Sequence, residues 1–215
     1  MSQKIVIISS GGGNLLNVQR ALNFCGNSAT ISSSIEAIEA ADKLVIPGVG
    51  AFNKCISGLK KDHLLDSIVS AAQQGKPILG ICVGMQILFE VGEEYGNHEG
   101  LGLIPGKVVA IKKAFAFNNP EHKVPHIGWY PLKKNTNYPI EKYDPLQVKE
   151  NAYVYFIHSY MCQPIKNEYI KAYYDFEKHK IPAIVQNKNI YGIQFHPEKS
   201  GKAGLEIIKS FVELA

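Results

Sequence analysis

A chain of 215 residues is long enough for one sizeable core and too short for two domains of ordinary size. Its 46% hydrophobic and 20% charged content is that of an ordinary soluble globular protein. A net charge of +4 with no lysine or arginine run disfavours nucleic-acid binding, and no apolar stretch of ~18 residues exists to span a membrane. The opening MSQKIVIISS runs straight into a strand-like segment and lacks a signal-peptide cleavage pattern. Cys25, Cys55, Cys82 and Cys162 are widely spaced with no CxxC, which argues against zinc and for a reducing, cytoplasmic location.

The first half alternates strand and helix. Ile5 to Ile8 reads as a buried strand. Asn14 to Phe24 reads as an amphipathic helix with Leu15, Val18, Leu22 and Cys25 inward and Gly26 as its stop. A weak strand at Ala29 to Ser32 and a short helix at Ile35 to Ala41 follow. Leu44 to Ile46 is a strand that runs into the loop PGVGAF. Leu64 to Ala72 is helical, and Gln74 to Pro77 breaks it. Pro77 to Ile81 is a buried strand, and Met85, Ile87, Leu88 and Phe89 read as an apolar helix after Cys82. This β-α-β-α order predicts a parallel sheet covered by helices on both faces.

The second half changes texture. Strands are predicted at Val108 to Ile111, His126 to Leu132, Tyr153 to Tyr160, Tyr169 to Tyr173 and Ile190 to Phe195. Asn135 to Asp144 reads as an exposed loop. Gly204 to Leu214 is a final helix with Leu205, Ile208, Phe211 and Val212 on one face. No repeat or linker divides the chain, so a single α/β domain over 1–215 with a mixed, mostly parallel sheet is expected.

Three features could carry chemistry. Strand, Gly80-Ile81-Cys82-Val83-Gly84, helix is the layout of a nucleophile elbow with sulfur as nucleophile. The helix N-terminus would favour the thiolate. A strand ending in Tyr191 to Phe195 delivers His196, and Glu198 two residues on would share its side in an extended chain and orient it. PGVGAF, Pro47 to Phe52, offers main-chain N–H groups around Val49 and Gly50, and Val83 offers another, for an oxyanion hole. Each feature alone has a plain reading: a core cysteine, a turn, a loop. Together they sit just after three strands, where open parallel sheets place their active residues. A cysteine peptidase or other hydrolase and a non-catalytic binding module stay open on these residues alone. His63, His98, His122 and His179 read as surface residues, whereas His126 and His158 lie in strands.

The chain resembles the class I (triad) glutamine amidotransferases, a flavodoxin-like fold, over nearly its whole length. PGVGAF, GICVGMQILFE, GLGLIPGKVV, KVPHIGWYPL, YFIHSY and YGIQFHPEKS carry the resemblance. Within the family, VPHIGW and PGVGAF are similar to the glutaminase subunits that serve imidazole glycerol phosphate synthesis. The resemblance implies that Cys82 attacks the side-chain amide of glutamine, that His196 protonates the departing ammonia and that Glu198 orients His196. It implies Val49, Gly50 and Val83 around the oxyanion, and Gln86, Glu94, Ser159 and Tyr160 around glutamine. It requires no metal or organic cofactor. It implies a heterodimer with a (β/α)8-barrel cyclase that receives the ammonia, with Asn14, Trp129 and Lys199 facing that partner and no role for nucleic acid or membrane. His126 is then structural or interfacial, and His158 supports Ser159 and Tyr160. The chain departs from the family's usual residues at Ser9, Ser10, Gly12, Leu16 and Tyr130, all in the region expected to meet the partner. A related glutaminase that feeds another synthase, such as a surface-sugar amidotransferase, is the alternative these departures raise.

Overall fold

A computed structural model describes residues 3–9, 14–115, 124–136, 145–176 and 178–214. Ser10, Gly12, His122 and most of the 135–144 loop lie outside these. The first half runs β1 (Ile5–Ile8), α1 (Leu15–Phe24), β2 (Thr30–Ser32), α2 (Ile35–Glu39), β3 (Lys43–Gly48), α3 (Phe52–Lys61), α4 (Leu65–Gln73), β4 (Ile78–Cys82) and α5 (Val83–Gln86). Next come β5 (Phe89–Gly92), β6 (His98–Glu99), β7 (Ile104–Ala110), α6 (Ile111–Ala114), β8 (His126–Pro131) and β9 (Lys133–Lys134). The chain then continues through β10 (Tyr153–His158), β11 (Tyr160–Pro164), β12 (Ile170–Phe176), β13 (His179–Asn187), β14 (Ile190–Ile193) and α7 (Gly201–Val212).

The main sheet has the order β2-β1-β3-β4-β14-β13-β12-β9. Its first five strands are parallel and the rest antiparallel, so the expected mixed sheet is observed. The central strands read as unbroken apolar runs because helices cover both faces: every residue of β1, β3 and β4 is buried. Two smaller sheets, β10-β8 and β11-β7-β5-β6, extend the C-terminal half. Among the described residues no helix is long and apolar enough to cross a membrane.

Several elements differ from the sequence reading. The helix after Cys82 is a single turn, and Phe89 belongs to a strand. An apolar run this short fits either period. The strand expected over Tyr153 to Tyr160 breaks at Ser159, where the chain leaves β8's partner strand and pairs with β7 as β11. Helix α3 and strand β13 were not anticipated.

What positions the site is the register at the centre. Gly48 pairs with Cys82 across β3 and β4, and Ile81 pairs with Ile193 across β4 and β14. The ends of three adjacent parallel strands therefore deliver the PGVG loop, the cysteine and the histidine segment side by side.

Candidate active site

Strand β4 ends on Cys82, whose backbone turns at φ 56 and ψ −113. A positive φ is strained for a residue with a side chain and persists only where the surroundings impose it. The surroundings are tight. A Cβ on Gly84 would lie 1.7 Å from the Ile46 carbonyl oxygen, and one on Gly80 would lie 2.5 Å from the Gly84 oxygen. The two glycines thus serve close packing of the elbow against β3 and β4, while Cys82 itself takes the sharp turn. One turn of helix supplies free N–H groups but little of the macrodipole expected from the sequence.

His196 faces Cys82 across the same cavity, and its Nδ1 lies 3.0 Å from Glu198 Oε1. With Nδ1 taken, Nε2 is the nitrogen left for sulfur. Both side chains of the His–Glu pair are almost fully buried, at 6% and 1% exposure. The connection is not the extended one expected: Pro197–Lys199 forms a single 3-10 turn that folds Glu198 back under the ring. Burial alone would lower the His196 pKa. The hydrogen bonds and charges of Cys82 and Glu198 outweigh it and push the value up to about 9. His196 therefore holds a proton at neutral pH. Glu198 Oε2 is buried with no partner among the described residues, so the carboxylate's one hydrogen bond goes to the ring.

A cavity of about 330 Å³ opens over the sulfur. Val49, Gly50, Val83, Gln86, Glu94, Ser159 and Tyr160 line it with Cys82 and His196, so the cavity brings together the predicted oxyanion and substrate residues. Gly50 has φ +87. Gln86 is buried and donates to Gln194 Oε1 at 3.1 Å and to the Tyr160 carbonyl at 3.3 Å. Glu94 Oε2 accepts from the Phe52 N–H at 2.8 Å and so caps α3, whose own N-cap residue, Ala51, has no side-chain acceptor.

Sequence reasoning missed several members. Gln194, fully buried, donates towards Cys82 Sγ at 3.8 Å. It was the lone polar residue in an apolar strand, which was the available signal. Ser200 Oγ donates to the His196 carbonyl at 2.6 Å and accepts from the Tyr155 N–H at 2.9 Å, fixing the histidine segment from behind. Pro125 and Ile157 also line the cavity, as does His158, which the resemblance had placed in support of Ser159 and Tyr160.

The residues assigned to a partner face fall in three places. Lys199 lines the cavity mouth, with its Nζ 6.0 Å from the Tyr155 ring centroid. Trp129 is half-exposed beside the same ring, at 5.9 Å. Asn14 sits at the N-cap of α1 without a side-chain capping bond. Leu16 is exposed and Ser9 half-buried. Tyr130 is a correction: alternation along β8 turns it to the side of His126, where its ring packs against His126 at 4.4 Å and Tyr174 at 5.2 Å. It belongs to an internal aromatic cluster rather than to the outer face.

The family model for glutamine amidotransferase class-I matches residues 7–214. The chain is 44% identical over 211 residues to the imidazole glycerol phosphate synthase subunit HisH of Lactococcus lactis subsp. lactis, covering 98% of each chain. It is 41% identical over 215 residues to the subunit HisH 1 of Legionella pneumophila strain Lens, covering 98% of this chain and 99% of that one. In fold it is similar to a chain of PurLQS from Thermotoga maritima, with a TM-score of 0.70 at 18% identity, over 99% of this chain and 98% of the other. With its elbow cysteine, its histidine and its carboxylate assembled at the ends of β4 and β14, this chain belongs to the class-I glutamine amidotransferase family.

Proposed function

We infer that this chain is the glutaminase subunit of imidazole glycerol phosphate synthase. The observation that carries the chemistry is the Cys82–His196–Glu198 chain of contacts in a cavity that also holds Glu94 and the PGVG loop. The choice of synthase rests on relatives of 44% and 41% identity that carry the HisH name over almost the full length.

Glutamine enters with its ammonium towards Glu94 and its side-chain amide over Cys82. Cys82 Sγ bonds to the amide carbon, and the carbonyl electrons move to oxygen. Main-chain N–H groups of the Val49–Gly50 loop and of Val83 receive that oxyanion, a contribution worth about 100- to 1,000-fold per donor. His196 gives its proton to the leaving nitrogen, ammonia departs, and a glutamyl thioester remains. Water then attacks the thioester with His196 as base, releasing glutamate and regenerating the cysteine. Glu198 keeps the ring oriented and stabilises its charged form.

The ammonia passes to a cyclase subunit with a (β/α)8 barrel, docked over the cavity mouth beside Lys199 and Trp129, which makes imidazole glycerol phosphate and an aminoimidazole carboxamide ribotide. The free thiols Cys25, Cys82 and Cys162 suit a reducing cytoplasm. Substituting Cys82→Ala in the complex with the cyclase is expected to abolish glutamate release while leaving ammonia-dependent cyclase turnover. Retained glutaminase activity would remove the cysteine from the reaction. Expression of the gene should also rescue a histidine auxotroph that lacks this subunit, and failure would favour another ammonia acceptor.

A further inference from the structure

A chain of buried hydrogen bonds runs behind the glutamine cavity and crosses all three sheets. His126 Nδ1, on β8, lies 2.8 Å from the Tyr174 hydroxyl on β12. The same hydroxyl lies 2.9 Å from Nε2 of His158, on β10. His158 Nδ1 lies 2.8 Å from the carbonyl oxygen of Tyr160, the first residue of β11. That oxygen also accepts from Gln86 Nε2, in the elbow helix. All three rings are buried, and Tyr174 is 0% exposed.

The partners dictate the direction of every bond. A carbonyl oxygen only accepts, so His158 Nδ1 must carry hydrogen. Burial pushes the His158 pKa down to about 4, so the ring is neutral and its Nε2 is an acceptor. Tyr174 must then spend its only hydroxyl proton on His158. The hydroxyl oxygen is left as acceptor for His126 Nδ1–H. His126, whose pKa burial also lowers to about 4, is neutral, so its Nε2 carries only a lone pair; that atom is buried with no partner among the described residues. The result is a one-way chain, His126 to Tyr174 to His158 to the Tyr160 carbonyl. It moves no proton along its length, because the terminal carbonyl cannot take one up. It works as a bracket.

The bracket holds the point where the chain breaks at Ser159 and passes from the two-stranded to the four-stranded sheet. Ser159 and Tyr160, on that crossing, form one wall of the cavity. We propose that Tyr174 is a positioning residue for glutamine hydrolysis: through His158 it fixes the Tyr160 carbonyl, and with it Gln86 and the Ser159–Tyr160 wall, against which glutamine is bound. The proposal rests on the glutaminase reading above. Tyr174 does not line the cavity and shows nothing of its role in the sequence, where it is one more aromatic in a strand.

The test uses the glutaminase assembled with its cyclase, with rates normalised to Cys82 sites titrated by a glutamine-derived chloroketone. Tyr174→Phe removes one oxygen and conserves volume. Loss of this buried network is expected to raise KM for glutamine about tenfold, with kcat per titrated site falling less. His158→Asn keeps an amide N–H near the position of Nδ1, and His158→Leu does not. The asparagine variant should lie nearer to wild type in KM than the leucine variant. A Tyr174→Phe enzyme whose KM stays within about twofold of wild type overturns the proposal, even if fewer sites titrate, since a purely architectural role predicts that pattern. Equal KM for the two His158 variants overturns it as well and decides the matter if Tyr174→Phe does not fold. A wild-type complex without glutaminase activity sinks the underlying reading instead, and the two failures are thereby distinct.

Discussion

Glu93 is tied at the surface by Lys107 and Lys113, at 2.9 and 2.7 Å, and their hydrogen bonds hold its carboxyl below the usual range. Glu94 turns the other way, into the cavity, with one oxygen on the Phe52 N–H. In the proposed reading its second oxygen meets the ammonium of glutamine while the first still caps α3, directly after the Val49–Gly50 loop. Charge and cap can therefore be removed separately. Glu94→Gln keeps a carbonyl oxygen for the cap and loses the charge; KM for glutamine should rise by about 10- to 100-fold, the worth of a charged hydrogen bond, with kcat little altered. Glu94→Ala loses both, and kcat should fall further as the loop beside the oxyanion loosens. Steady-state kinetics of the two variants in the complex check this. If their kcat values agree, the cap has no part in turnover.

The strands that deliver the cysteine and its neighbours were legible in the sequence because their signals are local. Buried parallel strands announce themselves as apolar runs, as in Ile5 to Ile8 and Ile78 to Cys82, and the glycine spacing marks the elbow. Helix α3 carried a readable pattern, with Phe52, Cys55, Ile56 and Leu59 buried at spacings of three and four, but it starts inside PGVGAF, which looks like loop throughout. Strand β13 hides behind Pro182, a residue that argues against a central strand. The sheet accommodates it opposite Tyr173, next to a register shift in β12, which no sequence pattern displays. Cys82, His196 and Glu198 were legible as three candidates; the bracket of Tyr174 was not, because it depends on which strands of three separate sheets face one another. Packing of the elbow against β3 gives the element-scale prediction. Gly84→Ala places a methyl 1.7 Å from the Ile46 oxygen, so α5 must shift off the sheet. The variant should lose about 3 kcal/mol in urea unfolding, and chloroketone labelling of Cys82 should slow. An unchanged midpoint would mean that the elbow is looser than the close approach implies.

At the scale of the molecule, the cavity mouth and an apolar face are continuous. Strands β8 and β10 pair with Ile127 opposite Ile157 and Trp129 opposite Tyr155. Their outward residues stay uncovered: Ile127 is 53%, Trp129 50% and Ile157 38% exposed. Ile157 also lines the cavity, as does Val49, itself 44% exposed. Apolar side chains grouped at the rim of a polar site mark a surface that another protein covers. A cyclase seated there would close the mouth, so that ammonia leaves into the partner rather than into water. Trp129 is the sole tryptophan of the chain, and the emission of this subunit therefore reports that face alone. Titration with a cyclase made free of tryptophan should shift the Trp129 emission to the blue as the ring leaves water. Trp129→Ala should weaken assembly by about 2 to 4 kcal/mol, the range of a central aromatic anchor, without lowering the melting temperature of the isolated subunit. If the complex forms and channels ammonia while Trp129 emission stays that of an exposed indole, the partner docks elsewhere and the apolar rim must serve another purpose.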